Sequence, residues 1–171
     1  HERMEFPEAV EILAKKTDLS SLLKEVNTQL VAAQGHDQIK YGMTMIGVEI
    51  DPKSLTLNCW SAGGPFIYVI HKDGTEDVIG QLSSPLGTPI LTIGHEQCKL
   101  QAGDRILIYT DGLIETEKAG QQFGYRRLLK ALKSGEKLSA AEATKYLINQ
   151  VDNYRSEGLQ QDDYTCVLID V

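Results

Sequence analysis

Cysteine is scarce and unpatterned in this sequence: Cys59, Cys98 and Cys166 are odd in number, widely spaced and form no Cys-Xaa-Xaa-Cys pair. Neither a disulfide framework nor a zinc site is suggested, and a reducing, cytoplasmic setting is expected. Positive charge is short as well: 17 Lys and Arg stand against 24 Asp and Glu, giving a net charge of −7 and a pI near 5.1. That balance argues against a nucleic-acid surface, because phosphate backbones are bound chiefly by Lys and Arg. No apolar run approaches the roughly 18–20 residues needed to span a bilayer, and the first residues lack the apolar core of a signal peptide. The chain opens on His1 rather than Met, which reads as a tag residue ahead of a segment cut from something longer.

What is present suits one domain over residues 1–171, with 42% apolar residues to build a core. Residues 1–17 read as a linker or a short helix, Ala9, Val10, Leu13 and Ala14 falling at helical spacing after Pro7. Asp18 is a good N-cap for a second helix striped by Leu19, Leu22, Leu23, Val26, Leu30 and Val31 and ending before Gly35. Short β-type runs follow at 43–50, 55–61, 65–71 and 75–79, divided by turn residues, and 84–94 reads as a loop with at most one edge strand. Unbroken apolar runs at 105–110 and 164–171 predict strands covered on both faces, with helices over 125–133 and 140–154 between them. Antiparallel strands covered by amphipathic helices make an α+β layered sandwich.

Two carboxylate-bearing segments carry the candidate chemistry. Tyr109-Thr110-Asp111-Gly112 leaves the sheet after one apolar strand, and Gln161-Asp162-Asp163-Tyr164-Thr165 enters it before another. Alone, the first is better read as a common Asp-Gly turn, and the second reads equally well as a polar strand cap. If the two strands are antiparallel neighbours, Asp111 and Asp162 arrive at the same sheet edge. Side chains alternate along a strand, so Asp162 and Asp163 cannot both aim at one point. Converging carboxylates without a Cys or His partner suit hard cations such as Mg²⁺ or Mn²⁺.

Ala62-Gly63, Ser84-Pro85-Leu86-Gly87, Leu100-Gln101-Ala102-Gly103-Asp104, Ile108 through Glu115, Phe123-Gly124 and Asp162-Asp163-Tyr164-Thr165 occur in a fixed order. From about Leu22 to Val171 that order resembles the SpoIIE/RsbU branch of the metal-dependent (PPM-type) serine/threonine protein phosphatases. The resemblance implies an αββα sandwich of antiparallel sheets flanked by helices and two Mn²⁺ or Mg²⁺ ions held by aspartates. It also implies attack of metal-bound water on phosphoserine or phosphothreonine without a covalent phosphoenzyme. By position, Asp111 and Asp162 become metal ligands, with Gly112, Glu115 and Asp163 as accessory candidates. Glu115 reads equally well as a helix-start glutamate favoured by the macrodipole.

The family's opening Gly-Asp-Xaa-Xaa-Gly-His-Gly motif, whose aspartate bridges both metals, does not occur in this sequence. The expectation is therefore a domain lacking the first strands, through truncation or omission rather than degeneracy, and with weak metal binding of its own. Gly64 stands where the family commonly has histidine, a change the turn can absorb. The partner implied is a phosphorylated regulatory protein of the anti-anti-sigma-factor type. A sheet edge left unpaired would also favour a homodimer. The competing reading is a non-catalytic module that keeps the fold for partner binding.

Overall fold

A computed structural model describes residues 18–34, 42–155 and 162–171. The helix expected over 7–16 lies outside the described residues. The elements run α1 (Leu19–Gln34), β1 (Met45–Asp51), β2 (Thr56–Ala62), β3 (Ile67–Ile70), β4 (Glu76–Ile79), β5 (Gly94–Lys99), β6 (Arg105–Tyr109), α2 (Gly112–Glu115), β7 (Glu117–Lys118), β8 (Gln121–Gln122), α3 (Gly124–Ser134), α4 (Ala140–Arg155) and β9 (Cys166–Asp170). Three strands form a sheet in the order β1-β2-β5, four form another in the order β4-β3-β6-β9, and β7-β8 is a hairpin. No helix among the described residues is long and apolar enough to cross a membrane.

The chain divides into two compact units. Of the described residues, one takes in 18–34, 42–49, Asn58–Gly64 and Gly80–Glu96. Here Asp18 begins α1 as expected, its carboxylate accepting from the backbone N–H groups of Ser20 and Ser21 at 3.2 Å each. Leu23 packs with Trp60, Ala62 and Leu86, with Leu19, Val26 and Leu30 against them. Gly63 has φ +72°, and a Cβ there would stand 2.8 Å from the Pro85 backbone. The Ala62-Gly63 and Ser84-Pro85 motifs are thus two halves of one close approach that only glycine permits.

Within that unit two features departed from the sequence pattern. Asn27 sits on the buried face of α1, donating to Thr88 O at 3.1 Å and accepting from Gly87 N at 2.7 Å. These bonds tie the helix to the 84–94 loop and replace water that burial removed. β5, whose first residues lie here, was not expected. Its sequence Gly-His-Glu-Gln-Cys-Lys is almost wholly polar, and pairing with β2 overrides that composition.

The other unit takes in Ile50–Leu57, Pro65–Ile79 and, of the described residues, 97–155 and 162–171. β3 pairs antiparallel with β4 and β6, and β6 pairs antiparallel with β9 from Arg105↔Asp170 to Tyr109↔Cys166. Leu107, Leu113, Leu128, Leu147 and Val151 are fully or almost fully buried in one cluster formed by this sheet and helices α2 to α4. β6 is covered much as expected, but β9 is an edge strand and its Val167 is 45% exposed, so its apolar run did not mean burial on both faces.

At the Arg105 end of the β6–β9 pair, Arg105 makes a bidentate pair with Asp170 at 2.6 and 3.1 Å and donates to Gly135 O and Leu138 O at 2.9 and 2.6 Å. One guanidinium thereby joins two strands to the α3–α4 connection. The Arg105 guanidinium holds the Asp170 carboxyl below its usual range.

The Leu100 to Asp104 motif closes a turn in which the buried Asp104 accepts from Gln101 N at 2.8 Å. His71 lies between two carboxylates, Nε2 at 3.1 Å from Asp77 and Nδ1 at 3.1 Å from Asp104. Only the doubly protonated ring donates to both. The Asp77 hydrogen bond, helped by Asp104 and opposed by partial burial, raises the His71 pKa above 6.5. A raised folded-state pKa adds stability below the unfolded value and loses it as pH climbs through the folded one. Thermal midpoints at pH 6 and pH 8.5 are expected to fall more in the wild type than in His71→Gln; equal falls would remove this contribution.

Candidate metal centre

At the far end of the β6–β9 pair from Arg105, the chain leaves β6 through Thr110 and Asp111 and approaches β9 through 162–165. The two threonines hold these segments together: Thr110 N donates to Thr165 O at 3.0 Å, and Thr165 N donates to Thr110 Oγ1 at 2.8 Å. β6 and β9 are antiparallel neighbours, as the convergence of the two carboxylate segments requires, and both segments reach one sheet edge. The sequence reading assigns neither threonine a role. The signal was present in the two motifs, each of which pairs a Thr with its Asp.

Asp111 takes helical backbone angles at the N-cap of α2, and its Oδ1 accepts from Gly112 N at 3.0 Å. Asp162 Oδ1 accepts from Asp163 N at 2.8 Å. Both aspartates are exposed, as is Asp163. Gly112 is buried at the closest approach: a Cβ on it would lie 2.6 Å from Asp163 O and 3.5 Å from Asp162 Cβ. The glycine thus brings the Asp111 turn directly against the Asp162-Asp163 backbone. Its own carbonyl accepts from Thr116 N at 3.2 Å and Thr116 Oγ1 at 2.9 Å.

Strand alternation does not separate Asp162 from Asp163. Both precede the first strand residue, Cys166, so strand geometry does not orient them. What distinguishes them is that Asp162 presents its Cβ to Gly112 and Asp163 its carbonyl. Tyr164 anchors the segment from below, its hydroxyl donating to Asp152 Oδ1 at 2.7 Å. Burial, reinforced by Asp152, pushes the Tyr164 phenol up to about 12, so it remains a donor throughout the physiological range. Glu115 closes α2 and is exposed, its N–H donating to Asp111 O at 3.0 Å.

The donor set is all oxygen, which fits a hard divalent cation in kind. In number it is a fraction of a shell, since Mg²⁺ favours about six donors. Among the described residues no group of three or more His, Cys, Asp or Glu is placed to hold a metal ion.

Antiparallel sheets with flanking helices give this chain the fold of PP2C phosphatase domains. Its fold is shared with the phosphatase domain of SpoIIE from Bacillus subtilis in a manganese-soaked crystal, at 20% identity and TM-score 0.66 over all of this chain and 74% of that one. The SiaA-PP2C domain of Pseudomonas aeruginosa matches at 17% identity and TM-score 0.70, covering 87% of this chain and 59% of that chain. RsbX in complex with magnesium matches at 18% identity and TM-score 0.62, covering 89% and 64%. Residues 7–171 match the family model of Stage II sporulation protein E, and the chain belongs to the SpoIIE family. Among curated proteins no relative matches it. The chain spans between 59% and 74% of these three solved chains.

Proposed function

We propose that the protein hydrolyses phosphoserine or phosphothreonine on a bacterial regulatory protein, in the cytoplasm, with Asp111 and Asp162 as ligands of Mn²⁺ or Mg²⁺. The observation that carries this reading is the approach of the Asp111-Gly112 turn to Asp162-Asp163 within a SpoIIE-family fold. Bound divalent cations of this kind lower the pKa of coordinated water and neutralise charge on phosphoryl oxygens. The chain's own contribution is to hold the two carboxylates at a fixed separation, through the Thr110–Thr165 hydrogen bonds and the Gly112 contact. Glu115 and Asp163 stand as accessory acids one step outside that pair. An anti-anti-sigma-factor-like protein is the substrate type that accords with the family.

The test is hydrolysis of a phosphoserine or phosphothreonine peptide by the intact protein, expected to rise with Mn²⁺ and to vanish with chelator. Turnover indifferent to both would sink the proposal. Residues 1–171 alone are expected to bind Mn²⁺ weakly, because two like-charged carboxylates share a partial shell. Two tight sites by calorimetry on that segment would contradict the ligand count. The same count supports a second reading, a non-catalytic module for partner binding or dimerisation. It predicts no metal-dependent turnover even by the intact protein.

A further inference from the structure

A groove of about 400 Å³ runs between α3, α4 and the start of the β7–β8 hairpin, within the volume range of about 300–1,000 Å³ common to ligand sites. Its lining carries three cations, Lys118, Arg127 and Lys130, and no carboxylate among the described residues. None of the three belongs to an ion pair among the described residues, in a chain whose net charge is −7. Concentrating unpaired positive charge in one concavity of an acidic molecule gives a local field opposite to the global one. The groove wall is also fixed in place. Tyr154 donates its hydroxyl to Gln121 O at 2.9 Å, and Arg127 donates to Gln122 O and Phe123 O at 3.0 and 3.1 Å while lying 4.6 Å over the Tyr154 ring.

We propose that this groove docks an acidic segment of the phosphoprotein that the domain acts on, a reading that rests on the function proposed above. The chemistry favours carboxylates on an extended chain over a small phosphate ligand. Tight phosphate sites use converging backbone N–H groups or a bidentate arginine fork, and part of the Arg127 fork is already committed to carbonyls and stacked on a ring. Lys118 and Lys130 are exposed point charges that accept carboxylates in many poses. Ser134, Gln150 and Asn153 supply neutral donors and acceptors for peptide groups between those side chains. The groove belongs to the same unit as the aspartate pair, and β7 follows α2 directly in the chain.

The experiment measures anisotropy of a labelled Asp/Glu-rich dodecapeptide on the intact protein, with a length-matched Ser/Gly peptide as control. Binding of the acidic peptide alone is expected, weakening as salt rises. Lys118→Glu/Lys130→Glu, which exchanges attraction for repulsion at two points, is expected to weaken it at least about ten-fold. Lys118→Gln/Lys130→Gln gives a smaller loss and serves if the reversal impairs folding. Both variants are expected to raise KM for an acidic phosphoprotein while leaving kcat, and turnover of para-nitrophenyl phosphate, unchanged. Equal affinity in wild type and both variants, equal binding of the neutral peptide, or displacement by millimolar inorganic phosphate would overturn the proposal. Peptide binding that obeys these rules in a protein without turnover would instead leave the groove standing and remove the phosphatase reading.

Discussion

Asp111→Asn in the intact protein is expected to cut Mn²⁺-stimulated phosphopeptide turnover by about 10³-fold, on the order of 4 kcal/mol in the barrier. The substitution is informative because it removes charge and little else. The asparagine oxygen can still accept from Gly112 N, so the start of α2 and the thermal midpoint should be preserved. Asp162→Asn is expected to behave alike, its amide oxygen still able to accept from Asp163 N. Wild-type turnover in either variant would take that aspartate out of the centre. A loss of activity accompanied by unfolding would report on structure, which makes the parallel melting measurement part of the result.

Gly112→Ala is expected to damage both stability and turnover. The added Cβ would meet Asp163 O at 2.6 Å and Asp163 C at 3.3 Å, and neither belongs to a flexible side chain that could swing aside. The two segments must separate, at a cost of about 1–3 kcal/mol. For a chain of this length that corresponds to a fall of roughly 2–12 °C in the thermal midpoint. Because the displaced backbone carries Asp162 and Asp163, turnover should fall further than reduced stability alone accounts for. A variant that melts and turns over like the wild type would show that the close approach does not set the site.

Much of this arrangement was legible in the sequence where composition and geometry agree. The α1 start at Asp18, the turns that divide the strands between 43 and 79, the strand before Asp111 and the strand after Asp162 follow from capping, turn chemistry and apolar runs. Strand β5 was not legible, because its residues are polar and its neighbours in the sheet supply the stabilisation. Asn27 was hidden for a related reason: an α1 stripe drawn from apolar residues alone omits a polar side chain whose partners, Gly87 and Thr88, lie far along the chain. Val167 misled in the opposite sense, since a run of apolar residues states preference for burial and not position in a sheet. At the site, residue types showed which two carboxylates could meet. The threonine hydrogen bonds and the Gly112 contact that bring them together are long-range distances that local pattern does not encode.

The β6–β9 ladder is fastened at both extremities, by Arg105 to Asp170 at one and by Thr110 to Thr165 at the other. A slip of one strand past the other would advance by about 3.3 Å per residue and invert every side chain. Ligand distances to a divalent ion tolerate only a few tenths of an ångström. The double fastening therefore excludes sliding as a way of opening or tuning the aspartate pair. Any adjustment of that pair must come from the short turns that carry it, with the strands acting as a fixed gauge.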